Sequence, residues 1–250
     1  GVLCIEDTRP RNSDSVTTAR RVGHVRHGAI DARRDRVAVF DLDRTLIPGA
    51  SIVPFARELA ARRLVPRRRL VRAGVEHELY KHRGSSDAQI ARVRGQALAM
   101  VAGLEREPLL AVADEVSERL AALVGPAARL LLDHHLHGGD FCVLLSSSPQ
   151  ELVERIGRRL GVHRSIGTRA ALVDGRYTGG LERPLCYGEG KVQALRLALG
   201  EIDLHDSFAY ADSTSDLPLL RACGHPVAVN PDRCLRRIAR GCGWPVLTLD

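Results

Sequence analysis

The chain contains little lysine and no closely spaced pair of cysteines. Lysine occurs only at Lys81 and Lys191, so arginine supplies the rest of the 37 basic residues behind the net charge of +7. Since this usage, with abundant alanine, leucine and glycine, suggests a GC-rich coding bias, the basic charge is weak evidence for a nucleic-acid partner. The six cysteines form no C-x-x-C pair, and a chain of this length does not need a disulfide framework. We therefore expect buried free thiols.

Long apolar runs and targeting segments are also missing. No stretch approaches about 18 consecutive apolar residues, which excludes a predicted membrane-spanning helix. The first residues, GVLCIEDTRPRNSDS, have neither the charged-then-apolar pattern nor the small-residue cleavage site of a secretory signal. On these grounds we expect a cytoplasmic protein. The hydrophobic content of 44% over 250 residues is sufficient for a sizeable core, which excludes a disordered chain.

The hydrophobic pattern divides the chain into three parts. Residues 1–36 are polar and irregular, which predicts a flexible N-terminal extension. Residues 49–124 place apolar residues at three- and four-residue spacing, which predicts an all-helical insertion, called the cap below. Residues 37–48 and 125–250 alternate short apolar strands with helices. This alternation is typical of an α/β core whose parallel sheet is covered on both faces.

Two carboxylates follow the first predicted strand. In RVAVFDLDRTL, Asp41 and Asp43 are two residues apart, so on an extended segment their side chains point to one face. Close carboxylates raise each other's proton affinity, and such a pair is costly unless a cation or a reaction uses it. The structural alternative is that they are turn and helix-capping residues, which aspartates after strands often are.

Three further polar features follow predicted strands or glycines. The strand FCVLLSS carries Ser146 at its end, and the strand SFAYAD ends in Asp212, with Asp216 four residues later. Between them, YGEGK presents Lys191 after two glycines. Because ligands of open α/β sheets bind beyond the carboxyl ends of the strands, we expect these side chains to share a site with the aspartate pair.

Two helix ends are predicted in detail. Ser148 is expected to cap the helix after Ser146, with Pro149 at the first helical position and Glu151 completing a capping box. The sequence DHHLH, which resembles a metal-binding cluster, is expected at the exposed end of a core helix, where histidines suit the helix dipole.

The motifs DLDRTL, the Ser146 strand end, Lys191 and DSTSD occur in the order of the four motifs of the haloacid dehalogenase (HAD) superfamily. The chain resembles this superfamily over about residues 37–250. Its helical insertion is similar to the cap of the phosphoserine-phosphatase-like branch, subfamily IB. The resemblance implies a doubly wound, Rossmann-like α/β core with a parallel sheet and an inserted all-helical cap.

The resemblance also implies a reaction. It implies a Mg²⁺-dependent phosphatase that hydrolyses a small phosphorylated substrate, a phosphomonoester, through an aspartyl-phosphate intermediate. Asp41 would be the nucleophile, and Asp43 would be the general acid and then the general base. Ser146 and Lys191 would bind the phosphoryl oxygens. The implied metal ligands are four aspartates near strand ends, of which Asp43 would ligate through its backbone carbonyl: Asp41, Asp43, Asp212 and Asp216.

One position departs from the pattern of phosphoserine phosphatases. Those enzymes resemble one another in carrying a glutamate nine residues after the nucleophile, where it pairs with the substrate amine, whereas this chain has Ala50. An alanine methyl cannot neutralise an ammonium group, and an unpaired buried charge is costly. The expected substrate is therefore a phosphomonoester other than phosphoserine.

Alternatives remain open at this point. A phosphotransferase would use the same four motifs, and a phosphoserine phosphatase proper is a further candidate. A different class is a binding protein with a vestigial active site that uses the arginine-rich cap and the N-terminal extension to bind nucleic acid or an anionic membrane surface. For the enzyme, no nucleic-acid partner is expected, and the oligomeric state is left open. The cap arginines concerned are Arg57, Arg62, Arg63, Arg67, Arg68, Arg69 and Arg72.

Overall fold

The computed structural model describes residues 36–66, 95, 98–183, 185–200 and 202–249. The predicted extension, apart from Arg36, lies outside these residues, and so does the middle of the predicted cap with four of the seven cap arginines named above. In the part that is described, no helix is long and apolar enough to cross a membrane.

Parallel strands form the central sheet. The described strands, in chain order, are β1 (Val37–Phe40), β2 (Phe141–Pro149), β3 (Arg164–Thr168), β4 (Ala170–Val173), β5 (Arg176–Leu181), β6 (Phe208–Ala211), β7 (His225–Val229) and β8 (Val246–Leu247). The main sheet has the order β3-β2-β1-β6-β7-β8, and every neighbouring pair in it is parallel. The chain adds strands first to one side of β1 and then to the other, so the predicted doubly wound fold is confirmed. β4 and β5 form a separate antiparallel hairpin.

Helices cover both faces of the sheet. The described helices are α1 (Ile52–Ala61), α2 (Arg106–Ala121), α3 (Pro126–His137), α4 (Gln150–Leu160), α5 (Glu189–Leu199), α6 (Leu217–Ala222) and α7 (Arg233–Cys242). Alternate strand residues belong to opposite faces: Phe40 and Leu144 pack with α1 to α4, whereas Val39 and Leu145 pack with α5 to α7. Burial on both faces explains why the four residues of β1 form an uninterrupted apolar run.

The inserted helices α1 and α2 lie between β1 and β2 in the chain, as the pattern predicts. Phe55 of α1 and Val112 of α2 are buried in the same hydrophobic cluster as Phe40 of the sheet. These helices therefore pack directly on the core face, and the exact boundary between cap and core stays a prediction.

Strand β3 was not predicted. Its sequence RSIGT has only one large apolar residue, and only Ile166 and Gly167 are buried, because β3 is an edge strand. It is held in place by close packing against α4: a Cβ at Gly157 would lie 1.9 Å from Oγ of Ser165. This contact depends on tertiary packing, which a strand-by-strand reading of the sequence does not contain.

The predicted capping box is wrong. β2 continues to Pro149 and α4 begins at Gln150, without a side-chain cap. Ser148 instead pairs its hydroxyl with that of Ser51 (2.7 Å), and Glu151 accepts a hydrogen bond from the Tyr177 hydroxyl (2.8 Å). Both side chains are used in buried tertiary contacts that stabilise the junction between α1, the strand end and the hairpin.

The cysteine and histidine predictions are partly wrong. Among the described cysteines, three are buried as expected, but Cys234 and Cys242 of α7 are exposed. In DHHLH, His134 and His137 are exposed, whereas His135 is only 2% exposed. Its ring lies 2.6 Å from the Asp140 carboxylate and 2.6 Å from the Tyr210 hydroxyl, so it is a buried structural residue.

Candidate active site

The predicted site residues come together around the carboxyl ends of β1 and β6. β1 leads directly into Asp41, whose backbone N–H donates to the carbonyl of Tyr210 on β6 (2.9 Å). β6 leads into Asp212, and a short 3-10 turn then brings in Asp216. Because the chain crosses from one side of β1 to the other before β6, this edge of the sheet is the crevice where open α/β sheets bind ligands.

A buried ammonium group lies between two of these carboxylates. Lys191 extends from the first turn of α5, and its Nζ is 2.6 Å from Oδ1 of Asp41 and 2.7 Å from Oδ1 of Asp216. Lys191 and both carboxylates are each at most 5% exposed. Asp212, also buried, is paired with the exposed Arg44, whose Nε is 2.9 Å from its Oδ2. The interior of the site thus holds three carboxylates and one ammonium group.

Burial perturbs the acids of the site. It raises the pKa of Asp41 to about 7, although the Lys191 charge opposes the rise. It raises the pKa of Asp212 to about 6, against the opposing charge of Arg44. Burial alone would lower the pKa of Lys191, but the neighbouring charges of Asp41 and Asp216 raise it above its ordinary value. The carboxylates therefore need additional positive charge to stay ionised together at neutral pH.

Three carboxylates have the arrangement of a cation site. Asp41, Asp212 and Asp216 each offer one oxygen, and these oxygens lie within 4.8 Å of one another. Oδ1 of Asp216 is buried and accepts no hydrogen bond of regular geometry, despite the nearby Lys191 ammonium, so it has capacity for a further ligand. Hard cations such as Mg²⁺ prefer oxygen ligands of this kind. The donor set and its excess negative charge fit a divalent cation.

Ser146 lies on the neighbouring strand. Leu144 of β2 is paired with Phe40 of β1, so Ser146 and Asp41 are placed at the same edge of the sheet. Ser146 is 1% exposed, and its Oγ accepts the backbone N–H of Ser148 (3.1 Å). That hydrogen bond leaves the hydroxyl proton of Ser146 free to donate to an anion.

Comparison with known proteins agrees with this site. The profile of the haloacid dehalogenase-like hydrolases matches residues 38–221. This chain belongs to that family. A probable phosphatase of Mycobacterium tuberculosis (strain H37Rv) is 39% identical over 230 residues, or 89% of this chain and 78% of the relative.

Two further similarities support the assignment. A phosphoserine phosphatase of the same strain is 38% identical over 215 residues, or 84% of this chain and 69% of the relative. The solved structure of a protein of unknown function from Bordetella pertussis Tohama I has a TM-score of 0.77 and 32% identity, and the match covers 86% of this chain and 99% of that one. The HAD chain described here is thus a phosphatase, and the predicted resemblance is confirmed.

Asp43 occupies a different position from the other acids of the HAD site. Its Oδ1 accepts the backbone N–H of Ser51 (2.9 Å), at the start of α1. Burial raises the pKa of Asp43, while the hydrogen bonds from Ser51 lower it. The carboxylate is not part of the three-oxygen group, so coordination through the Asp43 backbone carbonyl stays a prediction.

Three contacts around the HAD site were missed by sequence reasoning. Thr45, in the same D-x-D-x-T segment, donates through its Oγ1 to Oδ2 of Asp41 (3.2 Å), and its place in the motif is a usable signal. Arg44 reaches Asp212 from a left-handed backbone conformation (φ 62°), which nothing in the sequence indicates. Ser51 contacts Asp43 across a loop in which the backbone N–H of Arg44 donates to the carbonyls of Ile47 and Gly49.

Proposed function

We propose that this HAD phosphatase is Mg²⁺-dependent and hydrolyses a small phosphomonoester through an aspartyl-phosphate on Asp41. The observation that carries the proposal is the buried ion pair between Asp41 and Lys191, beside the acidic group completed by Asp212 and Asp216. This arrangement provides a nucleophilic carboxylate, a fixed positive charge and oxygen ligands in one crevice, which phosphoryl transfer requires.

In the first step, an Asp41 carboxylate oxygen forms a bond to phosphorus while the bond from phosphorus to the ester oxygen breaks. Thr45 and Lys191 hold one carboxylate oxygen each, which orients Asp41. Asp43, whose pKa burial raises, gives its proton to the leaving alkoxide. The Lys191 ammonium and the Ser146 hydroxyl neutralise charge on the phosphoryl oxygens.

In the second step, water attacks the phosphorus of the aspartyl-phosphate and gives a proton to the Asp43 carboxylate. The bond from phosphorus to Asp41 breaks, and inorganic phosphate leaves. Asp41, Asp212 and Asp216, with the backbone carbonyl of Asp43, are the residues that would hold Mg²⁺. When bound, the cation supplies positive charge that keeps these carboxylates ionised and counters charge on the phosphoryl group.

The substrate is proposed to be a phosphomonoester other than phosphoserine. Ala50 is exposed at the start of the inserted segment, where the resembling enzymes carry a glutamate for the substrate amine. Two relatives are named phosphoserine phosphatases, so phosphoserine is the first competing substrate to test.

The arginine-rich cap gives limited support to a binding function. Arg62 is paired with Glu58 (3.2 Å) and with Glu115, which neutralises part of the described basic charge. Peripheral contact with an anionic membrane surface stays a prediction.

The test is hydrolysis of an aryl phosphate with and without Mg²⁺ by the wild type, Asp41→Asn and the control Asp206→Asn, whose side chain is 84% exposed. We expect Mg²⁺-dependent release of phosphate in the wild type and the control, and its loss in Asp41→Asn. Turnover that survives in Asp41→Asn would contradict the proposed nucleophile. Adding an acceptor alcohol and analysing the products separates hydrolysis from phosphotransfer.

A further inference from the structure

A groove lies beside the edge strand β3, away from the carboxylate site. It has a volume of about 620 Å³ and is bounded by α4, β3 and α5. Pockets of roughly 300–1,000 Å³ are the usual size for small-molecule ligands. The described residues that line it include none of the predicted catalytic, phosphate-binding or metal-binding residues. The groove is therefore a separate surface from the active site.

The rim of the groove is basic. Four arginines line it: Arg158, Arg164, Arg169 and Arg183. Arg158 is paired with Glu154 (3.1 Å), the one acidic residue among the described lining residues, and Arg183 lies 3.6 Å from Glu182. Arg164 and Arg169 have no carboxylate within salt-bridge distance among the residues that the structure describes. Two guanidinium groups of the groove therefore have no counter-charge from the residues that the structure describes.

The wall of the groove is partly apolar. Val162, Ile166, Ala194 and Leu197 line it, and Leu197 of α5 is 59% exposed. An apolar wall beside unpaired guanidinium groups matches a ligand with a nonpolar part and several negative oxygens. Guanidinium groups bind phosphate oxygens through two parallel hydrogen bonds, which makes arginine suited to such a ligand.

The edge strand has little capacity to pair with another chain here. The Gln150 side chain donates from Nε2 to the carbonyl of Ser165 (3.1 Å) and accepts from the backbone N–H of Gly167 through Oε1 (2.6 Å). These two backbone groups of β3 are already satisfied, which argues against strand addition by a second copy. A small ligand that uses the side chains of the groove is the better match.

We propose that the groove between α4, β3 and α5 binds a small organic anion that carries at least two phosphate groups. Arg164 and Arg169 bind the phosphates, and the nonpolar part of the ligand packs against Ile166 and Leu197. This site is independent of the proposed hydrolysis at Asp41.

The experiment titrates the full chain with ATP, tripolyphosphate and adenosine by calorimetry, in EDTA so that no metal complex forms at the active site. The test variant is Arg164→Gln/Arg169→Gln. The matched control is Arg233→Gln/Arg240→Gln, two exposed arginines of α7, which packs on β7 and β8 at the other end of the sheet. A Ser146→Ala variant reports binding in the active site.

We expect ATP to bind the wild type, the control and Ser146→Ala alike, and the test variant about tenfold or more weakly. Tripolyphosphate should bind more weakly than ATP, and adenosine should not bind. Both arginine variants should keep the aryl phosphatase activity of the wild type. Equal weakening in the control pair, weakening in Ser146→Ala, or no ATP binding by the wild type would overturn the proposal. Equal affinity for ATP and tripolyphosphate would overturn the proposed packing of a nonpolar ligand part against Ile166 and Leu197.

Discussion

Lys191 and Asp41 form a buried ion pair, with 2.6 Å between Nζ and Oδ1, although 150 residues separate them in the chain. The pair joins the end of β1 to the first turn of α5, on opposite sides of the inserted helices in the chain. The chain has only one other lysine, Lys81, and at position 191 the compact ammonium fits between two buried carboxylates. The guanidinium group of arginine is larger, and its N–H groups donate hydrogen bonds within one plane.

Replacing Lys191 by methionine should remove activity and stability together. Without the ammonium, Asp41 and Asp216 repel each other in a buried site, and losing one partner of a buried ion pair costs about 3–5 kcal/mol. We expect aryl phosphate turnover to fall by about 100-fold or more, since a charge that stabilises the transition state is lost. Turnover and urea unfolding at pH 8 are the measurements.

Lys191→Arg is the matched control for charge. It keeps the positive charge but not the size, so we expect it to recover part of the stability and little of the activity. Full activity in Lys191→Arg would show that charge alone is sufficient and would contradict a role for the compact ammonium.

The pKa values of the site predict a pH-dependent effect of Mg²⁺ on stability. Burial raises the pKa of Asp41 from 3.8 to about 7 and that of Asp212 to about 6. Between pH 4 and these values the folded protein binds more protons than the unfolded chain, so the metal-free protein loses stability as pH rises through this window. Mg²⁺ competes with these protons, so its stabilising effect should grow with pH.

Thermal unfolding with Mg²⁺ and with EDTA at pH 5, 6, 7 and 8 measures this effect. We expect the increase in Tm on adding Mg²⁺ to be small at pH 5 and to rise mainly between pH 6 and 8. Burial lowers the pKa of His135, so its contribution to stability is lost as pH falls. Because that contribution is the same with and without Mg²⁺, the difference in Tm between the two conditions reports the protonation of the carboxylates alone. An equal Tm increase at pH 5 and pH 8 would contradict the assignment of Asp41 and Asp212 as ligands.

Thr45 is expected to orient the nucleophile. Its Oγ1 donates to Oδ2 of Asp41, and valine has nearly the same shape without the hydroxyl. A hydrogen bond of this kind contributes about 1 kcal/mol, so Thr45→Val should lower kcat by about fivefold to tenfold with little change in KM. The control is Thr178→Val, in the exposed hairpin, which also removes a hydroxyl donor. Equal kcat values for the two variants would rule out the orienting role.

The sequence was sufficient where one local signal dominates. Apolar runs such as VAVF predicted the buried strands, and the aspartates that follow β1 and β6 were placed at one edge of the sheet by the rule for parallel strands. Contacts between distant segments were not predictable in the same way. Ser148 has the local signature of a helix cap, but its hydroxyl bonds to Ser51, 97 residues away, and this tertiary contact overrides the local preference. β3 was missed for the same reason, since packing against Gly157 of α4 positions it rather than an apolar run.

His135 provides the last prediction, and it concerns stability alone. The ring bridges Asp140 and Tyr210 at 2.6 Å to each, so His135→Ala leaves two buried polar groups without this partner and creates a cavity. We expect the free energy of unfolding in urea to fall by about 2–4 kcal/mol. The exposed neighbour gives the control: His134→Ala should change the free energy of unfolding by less than about 0.5 kcal/mol. Since His135 does not touch the site, kcat should remain at the wild-type value while the protein is folded. Similar losses of stability in the two variants would show that the buried network does not stabilise the fold.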